Sequence, residues 1–125
     1  MEDDVEKLGK TIIEASFRVH SALGPGLLES AYQACLMHDL KNQQLKVASE
    51  VAMPLHYMGA RLDVGYRIDL LVEDLVIVEL KAVEKLMPIH QAQLLGYLKL
   101  SGLRLGYLLN FNVIHMRDGI KRMVN

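Results

Sequence analysis

Apolar residues recur at steps of three, four and seven between Val5 and Leu23, through Leu8, Ile12 and Val19, with Ala15 and Ser16 filling the same stripe. This is the period of an amphipathic helix with one buried face. Gly24-Pro25-Gly26 breaks the pattern, and a second helix is predicted from about Leu27 to Gln43, so the chain opens on a helical hairpin. After Gln44 the period shortens. Lys46 to Tyr57 alternates loosely, Met58-Gly59-Ala60-Arg61 suits a turn, and further strands are predicted over Asp63 to Val72 and Leu75 to Ala82, joined by the two-residue connection Glu73-Asp74. Pro88 fits the first turn of a third helix, and Gly102 fits its end in the left-handed conformation. Leu105 to Phe111 is another apolar strand, and Gly119 to Val124 is a short final one.

The order of helix, helix, three antiparallel strands, helix and strand implies an α/β fold: a mixed sheet of four to five strands flanked by helices, with an N-terminal helical hairpin. A helix between the third and fourth strands acts as a right-handed crossover, which makes those strands parallel neighbours and lays the helix over the face near Lys81. The length suits a single domain over residues 1–125, with a sizeable core and no separate recognition module.

Charge and cysteine usage narrow the setting. Fourteen basic and fifteen acidic side chains leave a net charge of -1, so no general field draws the chain to a polyanion or an anionic membrane, and any such contact must be local. A lone Cys35 excludes an internal disulfide framework. Met1-Glu2-Asp3-Asp4 is acidic where a signal peptide is basic, and no apolar run approaches the ~20 residues of a membrane span. A cytoplasmic location is the expectation.

Against this background one charge placement stands out. Glu79 and Lys81 interrupt the apolar run Val76 to Ala82, and Asp69 lies on the strand predicted to precede it. Strand side chains at i and i+2 share a face, so Glu79 and Lys81 point one way and Val78 and Leu80 the other, which suggests one core face and one site face. An ionised carboxylate removed from water costs several kcal/mol unless it is paired or metal-bound. Two carboxylates about 4 Å apart repel by roughly 4 kcal/mol at an effective dielectric near 20, and a divalent cation between them removes the conflict. Oxygen ligands of this kind suit Mg2+ or Mn2+ better than zinc, and His38, His56, His90 and His115 form no zinc-ligand spacing.

An acid followed by Glu-x-Lys on the adjacent strand resembles the PD-(D/E)XK nuclease superfamily. The likeness is closest to the GxxExxY proteins, through Gly26-Leu27-Leu28-Glu29-Ser30-Ala31-Tyr32, the preceding Val19-His20-Ser21-Ala22-Leu23-Gly24-Pro25 and the stretch from Tyr66 to Asn112. On the third helix Gln93-Leu94-Leu95-Gly96-Tyr97 is similar to the Gln-x-x-x-Tyr element of the exonuclease branch. Ile68 stands where the superfamily's name has a proline, which removes no ligand.

The resemblance implies a restriction-endonuclease-like core and a Mg2+-dependent hydrolysis of phosphodiester bonds in nucleic acid, with DNA the expected substrate. It assigns metal binding to Asp69, Glu79 and the Leu80 carbonyl, with Glu29 acting through water or on a second ion. Lys81 would assist the water nucleophile, and Gln93 and Tyr97 would position the phosphate or the nucleophile. A homodimer would bring two sites to the two strands of a duplex.

Each residue also has a plainer reading. Glu79 and Lys81 could be a solvated pair on an exposed sheet face, Glu29 a first-turn acid favoured by the helix dipole, Tyr97 a core aromatic with its hydroxyl at the rim, and His20 a structural hydrogen-bonder rather than a catalytic group. The seven methionines suit core filling. A non-catalytic nucleic-acid or protein-binding module on the same scaffold is the rival function, favoured by the low net charge and the lack of a dense basic stripe. Hydrolysis of another substrate class comes last.

Overall fold

The computed structural model describes residues 2–125. Helix α1 spans Glu2–Leu23 and α2 Glu29–Asn42. The predicted stripe of α1 is the buried one: Leu8, Ile12, Ala15, Ser16 and Val19 face inward. From α2 the buried residues are Tyr32, Leu36 and Leu40, spaced by four. Together these faces cover one side of the sheet. Among the described residues, no helix is long and apolar enough to cross a membrane.

Strands β1 (Val47–Ala52), β2 (Leu55–Tyr57), β3 (Ala60–Leu62), β4 (Arg67–Val72) and β5 (Val76–Lys81) follow, then α3 (Pro88–Ser101), β6 (Leu105–Asn110), a 3-10 turn (Met116–Gly119) and β7 (Ile120–Val124). The main sheet has the order β1-β4-β5-β6-β7, with β5 and β6 parallel and the other neighbours antiparallel. The expected mixed sheet, parallel pair and helical hairpin are all present. Pro88 opens α3, and Gly102 ends it at φ 75°.

One predicted strand is divided and another is shortened. Lys46 to Tyr57 becomes β1 and β2, parted at Met53-Pro54, because proline has no N–H to continue a ladder. Asp63 to Val72 is shortened to β4, while Ala60 and Arg61 of the expected turn fall in β3, which pairs with β2 as a separate hairpin.

The suggestion of one core face and one site face is also corrected. Strand β5 is buried from Val76 to Leu80, on both faces. Val76, Val78 and Leu80 join the core under α1 and α2, whereas Ile77 joins a second core with Leu94, Tyr97 and Leu98 of α3. The site face is therefore roofed by α3, and Glu79 sits beneath that roof.

The outer ribbon switches sides. Val47, Leu70 and Val72 belong to the first core, yet Val51 and Ile68, each an even number of residues further along its strand, pack with the second. Regular alternation forbids this. The reversal falls at Glu50, whose φ of 52° lies in the left-handed region, and at Asp69 opposite it. Backbone pairing of β1 with β4 skips this one position, resuming at Val51–Ile68.

Candidate active site

The acids occupy the place where regular pairing fails. Strands β4 and β5 pair at Val72–Val76, Leu71–Ile77 and Leu70–Val78, and the ladder stops there. One step further, side chains take over from the backbone. The Asp69 amide donates to Glu79 Oε2 at 2.8 Å, and the Leu80 amide donates to Asp69 Oδ2 at 2.9 Å. Each carboxylate thus caps an amide of the opposite strand, which leaves Asp69 Oδ1 and Glu79 Oε1 as the acceptors not committed to these bonds.

Glu79 is only 4% exposed. Burying its charge costs several kcal/mol, and the hydrogen bond from the Asp69 amide returns about 1.5–3 kcal/mol. The deficit shows in its titration: burial, then the neighbouring negative charge of Asp69, push the Glu79 carboxyl up to about 8. Asp69 is raised too, chiefly by burial, with the Leu80 amide opposing and the charge of Glu50 adding to it. Both acids are relieved by the positive charge of Lys81, two residues beyond Glu79.

Glu29 joins this field from the first turn of α2. Its pKa is raised by burial first and by Asp69 next, with Lys81 again lowering it. Its position depends on Tyr32. The Tyr32 ring stacks on Phe111 with centroids 4.6 Å apart, and its hydroxyl donates to the Gly24 carbonyl at 2.6 Å while accepting from the Leu27 amide at 3.1 Å. The tyrosine therefore ties the loop between the two helices to β6, and with it the start of α2. Lys81 is fixed from the other side: its carbonyl accepts from Phe111, and buried Asn110 exchanges two hydrogen bonds with Val83.

Helix α3 supplies the roof. Tyr97 is 5% exposed; its hydroxyl pKa is raised by burial and then by the charges of Glu79 and Asp69, which places it in the same field. Gln93, one turn earlier, is exposed and shares a cleft with Tyr97. His20 finds its hydrogen-bond partner outside the acids. It is buried, with Nε2 2.7 Å from the Val113 carbonyl, and so takes the structural part.

Two further residues belong to the site and escaped the sequence reading. Glu50 acts electrostatically on both Asp69 and Glu29. Gln33 donates through Nε2 to Glu50 Oε2 at 2.9 Å and, at a longer 3.4 Å, to the Asp69 carbonyl freed by the gap in the β1–β4 ladder. Gln33 is one turn after Glu29 on α2, and that shared face was the available signal. Glu50 gave none, since no rule of alternation predicts a left-handed glutamate within a strand.

The donor set is made of hard oxygens. Among the described residues, no three His, Cys, Asp or Glu side chains gather closely enough to enclose an ion. Two carboxylates with free oxygens fit a cation that keeps much of its water, as Mg2+ does, better than a fully caged one.

No curated protein and no solved structure matches the chain. A family model described as the PD-(D/E)XK nuclease superfamily matches residues 6–123, which takes in both helices of the hairpin, the acid-bearing strands and α3. By that match over nearly its whole length, the chain belongs to the PD-(D/E)XK nuclease superfamily.

Proposed function

We propose that this protein is a Mg2+- or Mn2+-dependent nuclease that hydrolyses phosphodiester bonds, most readily in DNA, and that it falls within the GxxExxY group of its superfamily. The reading is carried by one observation: two acids on adjacent strands each spend one oxygen on a backbone amide and keep the other open, in a seam where Lys81 is the nearby cation. Nucleases of this superfamily generally use divalent metals. Such an ion supplies Lewis-acid polarisation of the phosphate and a lowered pKa for water.

The chain's own residues divide the remaining work. Asp69 Oδ1, Glu79 Oε1 and the Leu80 carbonyl would hold the cation, with Glu29 linked to it through a water. Lys81 would orient the attacking water and offset the charge that develops on the phosphoryl oxygens. Tyr97 carries its proton at neutral pH, as tyrosines ordinarily do, and burial and the adjacent acids only strengthen its hold, so its hydroxyl would donate a hydrogen bond to the phosphate. Gln93 would offer its carboxamide to the same group from the exposed end of that helix face.

The test offers purified protein linear, circular and single-stranded DNA and RNA with Mg2+ or Mn2+. Cleavage should stop on addition of EDTA and in Asp69→Ala and Lys81→Ala protein. Cleavage that persists in either variant means that the assigned site is wrong. Calorimetric titration with Mg2+ separates the catalytic reading from a binding module, since a module has no reason to take up the ion through Asp69 and Glu79.

A further inference from the structure

Beside the acids lies a cleft of about 510 Å3, lined by Tyr66, His90, Gln93, Gly96, Tyr97 and Leu100 among others. Its volume is in the range of about 300–1,000 Å3 typical of small-ligand sites. Tyr97 links it to the acidic seam, since it lines the cleft and its hydroxyl feels the charges of Glu79 and Asp69. We infer that this cleft is a subsite for one unpaired nucleobase, stacked on Tyr66 while the adjoining phosphate sits at Asp69 and Glu79. The inference rests on the nuclease reading of that seam.

Three observations carry it. The first is Gly96, in the interior of α3. A glycine there costs about 1 kcal/mol against alanine, and nothing in the fold requires it, for a Cβ at Gly96 would meet no atom within 4 Å. The open space lies in the cleft that Gly96 lines. Close approach of a ligand to the helix backbone explains a glycine that packing does not.

The second is the way Tyr66 is held. Its carbonyl accepts from the Met53 amide at 2.9 Å and from Arg67 Nη1 at 3.0 Å, so its backbone is fixed at the start of β4. Its ring meets Tyr97 at an interplanar angle of 64°, with centroids 6.1 Å apart, and is thus propped edge-to-face rather than stacked. The side chain stays 43% exposed. A propped, half-exposed aromatic next to a phosphate site is the usual platform for a base, and exposed Arg67 beside it provides charge for the strand's backbone.

The third is polarity at the rim. His90 Nδ1 accepts from the Met87 amide at 2.9 Å, which fixes the neutral tautomer and leaves Nε2–H as a donor. Gln93 adds both a donor and an acceptor. These groups can meet the hydrogen-bonding edge of a base whose face lies on Tyr66. A duplex hides its base faces in the stack, and the cleft has room for a base but not for a helix, so the base must come from a single strand, a frayed end or a flipped position.

The inference is tested by fluorescence anisotropy with a short labelled single strand, the matching duplex, and single strands carrying one abasic position, all with Ca2+ in place of Mg2+, a hard cation that the same oxygens can hold, and with strand integrity checked by gel. Wild type should prefer the single strand, and an abasic position at the subsite should remove the preference. Tyr66→Ala should weaken single-strand binding by roughly 5- to 150-fold, the worth of one stacked base, and Tyr66→Phe should bind as wild type does. Gly96→Ala should raise Tm by about 3–5 °C yet weaken the same binding, so its loss cannot be blamed on misfolding.

Equal affinity for duplex and single strand, no single-strand binding at all, or unchanged binding in folded Tyr66→Ala and Gly96→Ala protein overturns the inference. The two readings fail separately. Metal-dependent cleavage with both variants behaving as wild type sinks the base subsite alone. Single-strand preference lost in both variants, in a protein that never cleaves, supports the subsite and sinks the hydrolysis.

Discussion

The two ends of the β4–β5 ribbon are built from the same pair of strands and do different work. At the turn end, Leu75 donates to the Val72 carbonyl across Glu73 and Asp74, both of them left-handed at φ 53° and 55°, and the twist of that turn suits a hairpin. The pairs that follow, Val72–Val76 and Leu70–Val78, are fully buried and apolar. At the other end, carboxylates replace carbonyls as the acceptors of strand amides. A carbonyl spends its hydrogen-bonding capacity on the ladder. A carboxylate brings a second oxygen and a charge, so the strands stay in register while an open, negatively charged seam forms between them. The paired end therefore carries stability, and the seam, where the proposed chemistry lies, is held at a cost in stability.

The comparison breaks first in the apolar ladder. Leu70→Ala removes a fully buried side chain and should cost about 2–5 kcal/mol in urea unfolding. Asp69→Asn should show the opposite profile. The isosteric amide keeps an oxygen for the Leu80 N–H and removes a charge repelled by Glu79, so stability should hold or rise, while cleavage falls by roughly 10²–10³-fold in initial-rate assays. If Asp69→Asn unfolds as easily as Leu70→Ala, the division of labour is wrong.

The dependence on pH sharpens the same contrast. Glu79 has an unperturbed value of 4.5 and titrates at about 8 in the fold. Between those values the folded chain keeps a proton that the unfolded chain has released, so metal-free protein should lose stability as pH rises from about 4.5 to about 8, by a few kcal/mol at most. Unfolding midpoints in EDTA across that interval read the slope, and Glu79→Gln should flatten it. Added Mg2+ should restore stability most at the alkaline end, where the ligand is already deprotonated.

The smallest effect belongs to the gap between β1 and β4. Glu50→Gly relieves a left-handed non-glycine residue and should be neutral or stabilising by about 1 kcal/mol. It also removes the charge that acts on Asp69 and Glu29 and the partner of Gln33. Gln33→Ala keeps that charge and removes only its hydrogen-bond partner, so it should change cleavage less than Glu50→Gly and bring no gain in thermal stability, and a thermal melt beside a cleavage assay separates the two.

Much of this arrangement was legible in local pattern. The stripe of α1 from Leu8 to Val19, the Glu73-Asp74 turn, the ends of α3 at Pro88 and Gly102, and the buried Val76-to-Leu80 strand follow from periodicity and turn chemistry. Asp69, Glu79 and Lys81 stood out because charges inside an apolar strand need compensation. The division of the strands was less visible, since Pro54 marks a break but not where the short hairpin goes. Tyr32 was read only as part of a motif. Its task is to join the loop before α2 to Phe111, and a contact between residues so far apart in the chain leaves no mark on local periodicity.

The sequence by itself determined the elements, their order and the three charges that had to be satisfied together, because these depend on side-chain period and on the cost of removing charge from water. Only the tertiary structure decided that side chains would take over the ladder at Asp69 and Glu79, that Glu50 would turn the outer ribbon onto α3, and that Tyr66 would come to rest against Tyr97. Those outcomes depend on which strands lie side by side and on the direction in which each side chain leaves its strand. Neither is fixed until two cores, one on each side of the sheet, close around the same seam.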